Sequence, residues 1–253
     1  MEDARLQFGR EAEKYLASTT HSDAAELGYL VRFAAPKGGP VLDVATGAGH
    51  TAYAFAPYAS RVVATDLTPE MLAIVEREAA QRSLGNVATA LMPAESLEVA
   101  DESFEGVTCR LAPHHFHDVV AFLREVFRVL RPGGWFLLVD TVGIDGDARA
   151  DADLDRFERL RDPSHVRNYT PEAWRSMIEA AGLRVERFEV GSRTQNFESW
   201  LDRMSVGEPA RSEVRDILVN SAGALRDYLV PKGDGSGLGF TLRHVIALGR
   251  KPD

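Results

Sequence analysis

The stretch Val41-Leu42-Asp43-Val44-Ala45-Thr46-Gly47-Ala48-Gly49-His50 decides the fold. Val41, Leu42 and Val44 form a short apolar run, the pattern of a strand buried inside a parallel sheet. Gly47 and Gly49 then mark a tight turn into a helix, where a missing side chain lets a ligand approach the backbone. Asp43 breaks the apolar run, and a carboxylate in a buried strand is costly unless something binds it. The stretch therefore predicts a nucleotide-like ligand at the end of a central strand.

Downstream, strand-like and helix-like segments alternate. Thr51–Tyr58 is predicted helical and Arg61–Asp66 is an apolar strand that ends on an acid. Thr68-Pro69-Glu70 has the composition of a helix start, with proline in the first turn and an acid favourable to the helix dipole. The helix it opens carries Met71, Leu72, Ile74 and Val75 and ends near Gly85. Strands follow at Val87–Leu91 and Phe104–Arg110, then an amphipathic helix at Val119–Leu130. Arg131-Pro132-Gly133-Gly134 leads into a fifth strand, Trp135–Asp140. Five alternations predict a parallel sheet with helices on both faces and a ligand at the carboxyl ends of the strands. Residues 145–181 interrupt the pattern, with helices over Leu154–Leu160 and Pro171–Ala180. Strands at Leu183–Val190 and Phe240–Leu248 flank helices at Phe197–Met204 and Glu208–Tyr228.

Composition narrows the function classes. The chain has 253 residues, 45% of them hydrophobic, enough for one substantial core. A formal charge of −9 argues against a nucleic-acid partner, whose phosphates ask for a basic face. The single cysteine, Cys109, excludes an internal disulfide and a cysteine-based zinc cluster. No signal-peptide pattern and no membrane-length apolar run is present, so the expectation is a cytoplasmic protein.

Two ligands fit a strand, a glycine turn and a downstream acid: a dinucleotide and S-adenosylmethionine. Asp43 separates them, because a carboxylate four residues before Gly47 would repel a pyrophosphate, whereas a sulfonium and an ammonium tolerate or require it. Asp66 can accept from both ribose hydroxyls in either case. At this point the chain resembles the class I S-adenosylmethionine-dependent methyltransferases, in particular the small-molecule enzymes of the ubiquinone/menaquinone-biosynthesis type. Val41–His50 resembles the first motif of that family and Asp66 its second. Ala94-Glu95-Ser96-Leu97 through Glu105 resembles the third stretch, Val107–Phe116 the fourth, and Arg128-Val129-Leu130-Arg131-Pro132-Gly133-Gly134 the joint before the fifth strand. Arg161-Asp162-Pro163-Ser164-His165-Val166-Arg167 resembles a lid motif of a bacterial subgroup.

The resemblance implies an α/β, Rossmann-like fold: a mostly parallel seven-stranded sheet, its last strand antiparallel, with helices on both faces. It implies one domain over 1–253, with helical lids at 1–35 and 145–181. It further implies S-adenosyl-L-methionine as cofactor, with S-adenosyl-L-homocysteine as product, held by Asp43, Ala45, Gly47, Gly49, Asp66, Leu67, Ala94, Glu95, Arg110 and Leu111. Two positions depart from the family. Ala45 replaces a customary glycine, which a negative φ would tolerate. Pro93 replaces an acid that would accept from the adenine amine.

The reaction implied is methyl transfer to a small, largely apolar acceptor at carbon, oxygen or nitrogen. His114 and His115 follow the fourth strand, where the methyl group would lie, and are the candidate catalytic residues, with His115 favoured. Tyr15, His21, Phe116, His165 and Arg167 are candidate substrate or lid residues, set against packing and polar-network roles for the same side chains. No metal set is evident. The partners expected are a small-molecule substrate, no nucleic acid and no membrane span, with a homodimer left open. The rival readings are a nicotinamide-dependent oxidoreductase, disfavoured by Asp43, and a cofactor-bound protein that transfers nothing, such as a pericyclase.

Overall fold

The computed structural model describes Arg5, Gly9, Glu13, Leu16 and residues 22–253. Tyr15 and His21, two of the candidate lid residues, lie outside the described residues. In chain order the elements are α1 (Ala24–Ala34), β1 (Val41–Val44), α2 (His50–Phe55), β2 (Val62–Asp66), α3 (Pro69–Gln81), β3 (Val87–Leu91) and β4 (Phe104–Arg110). They continue with α4 (Val119–Val129), β5 (Leu130–Thr141), α5 (Ala148–Arg161), α6 (Pro171–Ala180) and β6 (Arg184–Asn196). Three helices, α7 (Phe197–Asp202), α8 (Ala210–Val219) and α9 (Gly223–Leu229), precede the last strand, β7 (Gly239–Arg250). The seven strands form one sheet in the order β3-β2-β1-β4-β5-β7-β6. β1 to β5 run parallel, and β7 is inserted antiparallel to both β5 and β6.

Strand pleating sorts the side chains into two layers. Leu42, Val44, Phe136 and Leu138 point to a face covered by Phe122, Leu123 and Val126 of α4 and by Trp174 and Ile178 of α6. Val41, Trp135, Leu137 and Val139 point to the other face, covered by Leu30 and Phe33 of α1, Ala52 and Phe55 of α2 and Val75 of α3. Short polar side chains start several helices as the sequence predicts. Asp23 accepts from the Ala25 and Glu26 amides, Asp118 from Ala121 at 2.8 Å and Thr170 from Ala173 at 3.2 Å.

The lid is assembled differently from the predicted insertion at 145–181. Of that segment, α6 packs on the main sheet through Trp174 and Ile178. Only α5 leaves the sheet, and its Ala150, Leu154 and Phe157 join Phe197, Trp200, Val214, Leu218 and Leu229 in a separate cluster. Phe157 lies flat on Trp200 with ring centres 5.0 Å apart, and both meet Phe240 of β7 edge-on. An amphipathic helix far along the chain supplies the missing half of the lid, which local sequence alone does not reveal. The segment predicted as one helix over Glu208–Tyr228 is two, broken ahead of Gly223.

The crossing of β4 and β5 has no spare volume. Gly106 pairs with Trp135, whose indole stacks on Phe55 with ring centres 5.6 Å apart. A Cβ on Gly106 would lie 2.1 Å from the indole Cζ2. Gly106→Ala is therefore expected to destabilise the fold by about 1–3 kcal/mol, the usual cost of overpacking a core. Thermal denaturation reads this as a drop in Tm of several degrees; an unchanged Tm would mean the Trp135 pocket relaxes freely.

Candidate active site

The site forms where the carboxyl ends of β1, β2, β4 and β5 meet. Asp43 is 1% exposed. Its Oδ2 accepts from the Thr46 hydroxyl at 2.6 Å and its Oδ1 from the Thr108 hydroxyl of β4 at 2.5 Å. Burial pushes this carboxyl up to about 6, against the pull of the two hydroxyls and the nearby Arg110. Among the described residues no cation stands within ion-pair distance of the carboxylate, which leaves it suited to a positively charged group supplied from outside.

The chain turns sharply after β1. Ala45 stands at φ 52°, which corrects the expectation of a negative φ there. The reason is geometric: the next amide, Thr46 N–H, must swing round to donate to Thr65 O at 2.8 Å. A left-handed alanine costs about 1–2 kcal/mol, a strain the packed ends of β1 and β2 enforce. Gly47, at φ 54°, has no heavy atom within 4 Å of the place where a Cβ would sit, so open space faces the turn. Its N–H donates to Asp66 Oδ2 at 2.9 Å, and Thr68 N–H donates to Oδ1 at 2.9 Å. Burial raises the Asp66 carboxyl, while the Gly47 and Thr68 amides oppose that rise. Leu67 beside it is 44% exposed, an apolar side chain left open next to the glycine turn.

The segment after β3 closes the same hollow. Ala94 is buried, Glu95 half-buried, and the run past them is strapped to α4. Leu97 N–H donates to Glu125 Oε2 at 2.7 Å, and Arg128 donates to the carbonyls of Leu97 and Val99 at 2.7 and 2.8 Å. Glu125 and Arg128 were not among the candidate residues, although Arg128 opens one of the recognised motifs. Arg110, at the end of β4, donates from Nε to Thr51 Oγ1 at 3.2 Å and lies 3.9 Å from Glu26 of α1. Burial lowers its pKa, with Glu26 opposing. Leu111 follows at φ 55°, a second non-glycine residue in the left-handed region.

The turn after β4 holds the histidines. His114 Nδ1 lies 2.6 Å from Oδ1 of Asp140, a fully buried acid on β5. Burial pushes Asp140 up to about 8 and His114 down to about 4, the latter helped by a positive His165. Oδ2 of Asp140 is buried without a hydrogen-bond partner, which further favours the protonated acid. His115 stacks beside His114 with ring centres 4.1 Å apart, and its Nδ1 lies 3.1 Å from the Ser164 hydroxyl. Burial, then the neighbouring His114, brings it down to about 3.

His165 is different. Burial works against its charge, but Asp155 at 3.0 Å and Glu158 at 3.5 Å outweigh it and hold the pKa up. It is 2% exposed and joins the two acids in a buried network that favours its protonated form. Arg167 lies over the Tyr169 ring, and its N–H donates to His114 O at 3.1 Å. Phe116 packs edge-on against Phe122 within the core. These three side chains were candidates for substrate contact; none of them lines the cleft below. Among the described residues, no three His, Cys, Asp or Glu side chains are disposed to hold a metal ion.

A cleft of about 100 Å³, partly open to solvent, opens beside these histidines. Its walls include Leu111, His114, His115, Thr141, Trp200 and Leu242. The arrangement offers a hollow with two acids and an open glycine turn, next to a cleft that presents an imidazole paired with a buried carboxyl.

Comparison with known proteins agrees with that geometry. Residues 42–138 match the family described as methyltransferase domain. The uncharacterized methyltransferase YcgJ of Bacillus subtilis is 33% identical over 96% of this chain and 97% of its own length. Its crystal structure superposes with a TM-score of 0.85 over 90% of this chain and 98% of that one. The crystal structure of BH2331 from Bacillus halodurans, 34% identical, has a TM-score of 0.86 over 91% of this chain and all of that one. A shorter match, 36% identical, spans 42% of this chain and 43% of the ubiquinone/menaquinone biosynthesis C-methyltransferase UbiE of Nitrobacter hamburgensis.

The raised Asp43 pKa has a stability consequence. Between the ordinary carboxyl value and about 6, the unfolded chain has lost a proton that the folded chain keeps, so stability falls as pH rises through that window. Above it the ionised carboxylate costs about 3 kcal/mol. Asp43→Asn carries no such charge, so its Tm relative to wild type should rise from pH 5 to pH 8. A difference that is flat with pH in parallel thermal melts would show that Asp43 is not desolvated.

Proposed function

Since the chain belongs to the S-adenosylmethionine-dependent methyltransferases and is an enzyme of that class, we propose that its cofactor lies across the glycine turn between Asp43 and Asp66. The buried, cation-free Asp43 carboxylate carries this reading. It is set to receive the methionine ammonium directly or through a water, while Thr46 and Thr108 fix its orientation. Asp66 keeps lone pairs beyond those used by Gly47 and Thr68, and these accept the ribose hydroxyls. Leu67 offers an apolar face to the adenine, with Ala94 and Glu95 at its edge and the Pro93 side chain unable to accept from the adenine amine. Arg110 and Leu111 stand at the methionine end. The open space over Gly47 fits a ligand that passes close to the backbone.

When bound, the cofactor supplies an electrophilic methyl on a sulfonium, and the acceptor's lone pair forms the new bond as the C–S bond breaks and leaves a neutral thioether. The chain's own task is positioning, exclusion of water and removal of any proton from the acceptor. His114 is the group for that last task, with His115 beside it. Below about pH 8, Asp140 is protonated and donates to His114 Nδ1, so the ring carries its own hydrogen on Nε2. When the pair loses a proton, the carboxylate accepts from Nδ1–H and Nε2 presents a lone pair. Asp140 thus sets the tautomer of His114 as a positioning residue. The acceptor is a small, largely apolar molecule seated in the cleft against Leu111, Trp200 and Leu242.

Two measurements test this reading. Asp66→Ala should weaken S-adenosylhomocysteine binding about a hundredfold by calorimetry, the ~3 kcal/mol expected for two hydroxyl bonds to a carboxylate. Binding at wild-type strength would place the ribose elsewhere. In nitrogen-15 spectra, the His114 ring should pass from Nε2–H to Nδ1–H as pH rises through about 8, and Asp140→Asn should abolish that step. One fixed tautomer from pH 6 to 9 would remove His114 as a base.

A further inference from the structure

The cleft beside His114 carries a charge that the methyl-transfer reading leaves unexplained. In a chain of net charge −9, four arginines line this one cleft: Arg161, Arg193, Arg203 and Arg243. They come from four separate places, the end of α5, the middle of β6, the residue after α7 and β7, where Arg243 donates to Asp227 O at 3.0 Å and lies over the Tyr228 ring. The cleft's own acid, Glu158, lies 3.5 Å from His165, which also faces Asp155 and is held in its charged form. Arg193 is paired with Glu26 of α1. Arg203 donates from Nη2 to Gln195 Oε1 at 3.0 Å.

Arg161 is held by an aromatic ring and a backbone carbonyl, not by an acid. Its Nε donates to Trp200 O at 3.1 Å, and its guanidinium lies over the Trp200 indole, 4.7 Å from the ring centre. Among the described residues, no carboxylate stands within ion-pair distance of it and neither terminal nitrogen has a hydrogen-bond partner. A guanidinium tied through Nε and lying over an aromatic ring keeps its two terminal nitrogens as a fork, the donor pattern that can receive a carboxylate edge-on. His244 adds a neutral polar atom to the same wall. Burial, then Arg193, brings its pKa down to about 4, and its Nδ1 is buried without a partner. The apolar walls, Leu111, Trp200 and Leu242, leave the rest of the cleft suited to a hydrocarbon body.

We propose that the methyl acceptor is a carboxylate-bearing molecule with an apolar body, anchored through its carboxylate by Arg161, with Arg203 supplying further positive charge nearby. The proposal rests on the methyltransferase reading for the identity of the cleft as the acceptor site. It makes Arg161, the first residue of the recognised lid motif, the specificity-determining residue. It also explains why α5 docks on α7: the contact between Arg161 and Trp200 builds the carboxylate receptor.

The test uses the full-length protein saturated with S-adenosylhomocysteine. Benzoate, phenylacetate and hexanoate are each titrated beside the matching primary amide at constant ionic strength, with binding read by ligand-observed NMR. At least one acid should bind tenfold or more tightly than its amide, and Arg161→Gln should abolish that preference. S-adenosylhomocysteine affinity, measured on the same Arg161→Gln sample, should stay at the wild-type value and report that the variant is folded. If no acid is preferred over its amide, or if the preference survives Arg161→Gln, the proposal is overturned while the methyltransferase reading stands. Failure of wild type to bind S-adenosylhomocysteine would overturn the methyltransferase reading, and this proposal with it. If Arg161→Gln loses S-adenosylhomocysteine affinity, Arg161→Lys decides. It keeps the charge but not the fork, so it should retain part of the preference, and complete loss of the preference counts against the proposal.

Discussion

A carboxylate buried at the end of the central strand organises this protein. Asp43 sits between two other parallel strands, buried from solvent, and no cation among the described residues is within ion-pair distance of it. Two threonine hydroxyls, one from the turn and one from β4, hold its oxygens in place. An unpaired buried carboxylate costs several times more than an ordinary surface charge, so it persists only where a bound group compensates it. The glycine turn, the left-handed Ala45 and the second acid at Asp66 all follow from bringing such a group to that spot. The fold can carry this strain because β1 is flanked by β2 and β4 along its whole length.

The same sheet edge supports a second electrostatic device. Three histidines lie within two stacking distances of one another, yet they differ in charge. His165 is held positive by Asp155 and Glu158, and its charge helps keep His114 neutral. Burial is the main reason His114 and His115 stay neutral, and the nearby His165 adds to it because like charges so close in a buried setting disfavour one another. Asp140, buried behind His114, then decides which ring nitrogen carries the hydrogen. A charge balance is thus built from residues on β5, on the turn after β4 and on the lid.

The lid itself is a composite. α5 leaves the sheet and finds its hydrophobic partners some forty to eighty residues later, in α7, α8 and α9. The Phe157–Trp200–Phe240 aromatic cluster fixes this docking, and the arginines reach the cleft from its margins. The cofactor half of the site rests on the rigid sheet, while the acceptor half rests on this secondary core. That division lets the lid vary in charge and shape without disturbing the glycine turn.

Much of this was legible in the order of residues. The apolar run, the misplaced Asp43, the paired glycines and the acid at Asp66 form a local pattern, because strand, turn and helix are each dictated within a few residues. The parallel sheet and its carboxyl-edge site followed from the alternation of segments. Three things were not legible. The φ of Ala45 depends on a hydrogen bond to β2. The burial of Phe116 and His165, which takes them out of the cleft, depends on which way α4 and α5 present their faces. The pairing of His114 with Asp140 joins residues 26 positions apart, on neighbouring strands. The sequence by itself determined the fold and the strand, glycine turn and two acids of the proposed cofactor cradle, since these are written in short-range patterns of polarity and glycine. Only the tertiary structure decided the acceptor cleft, because its charges come from distant segments whose meeting is set by packing.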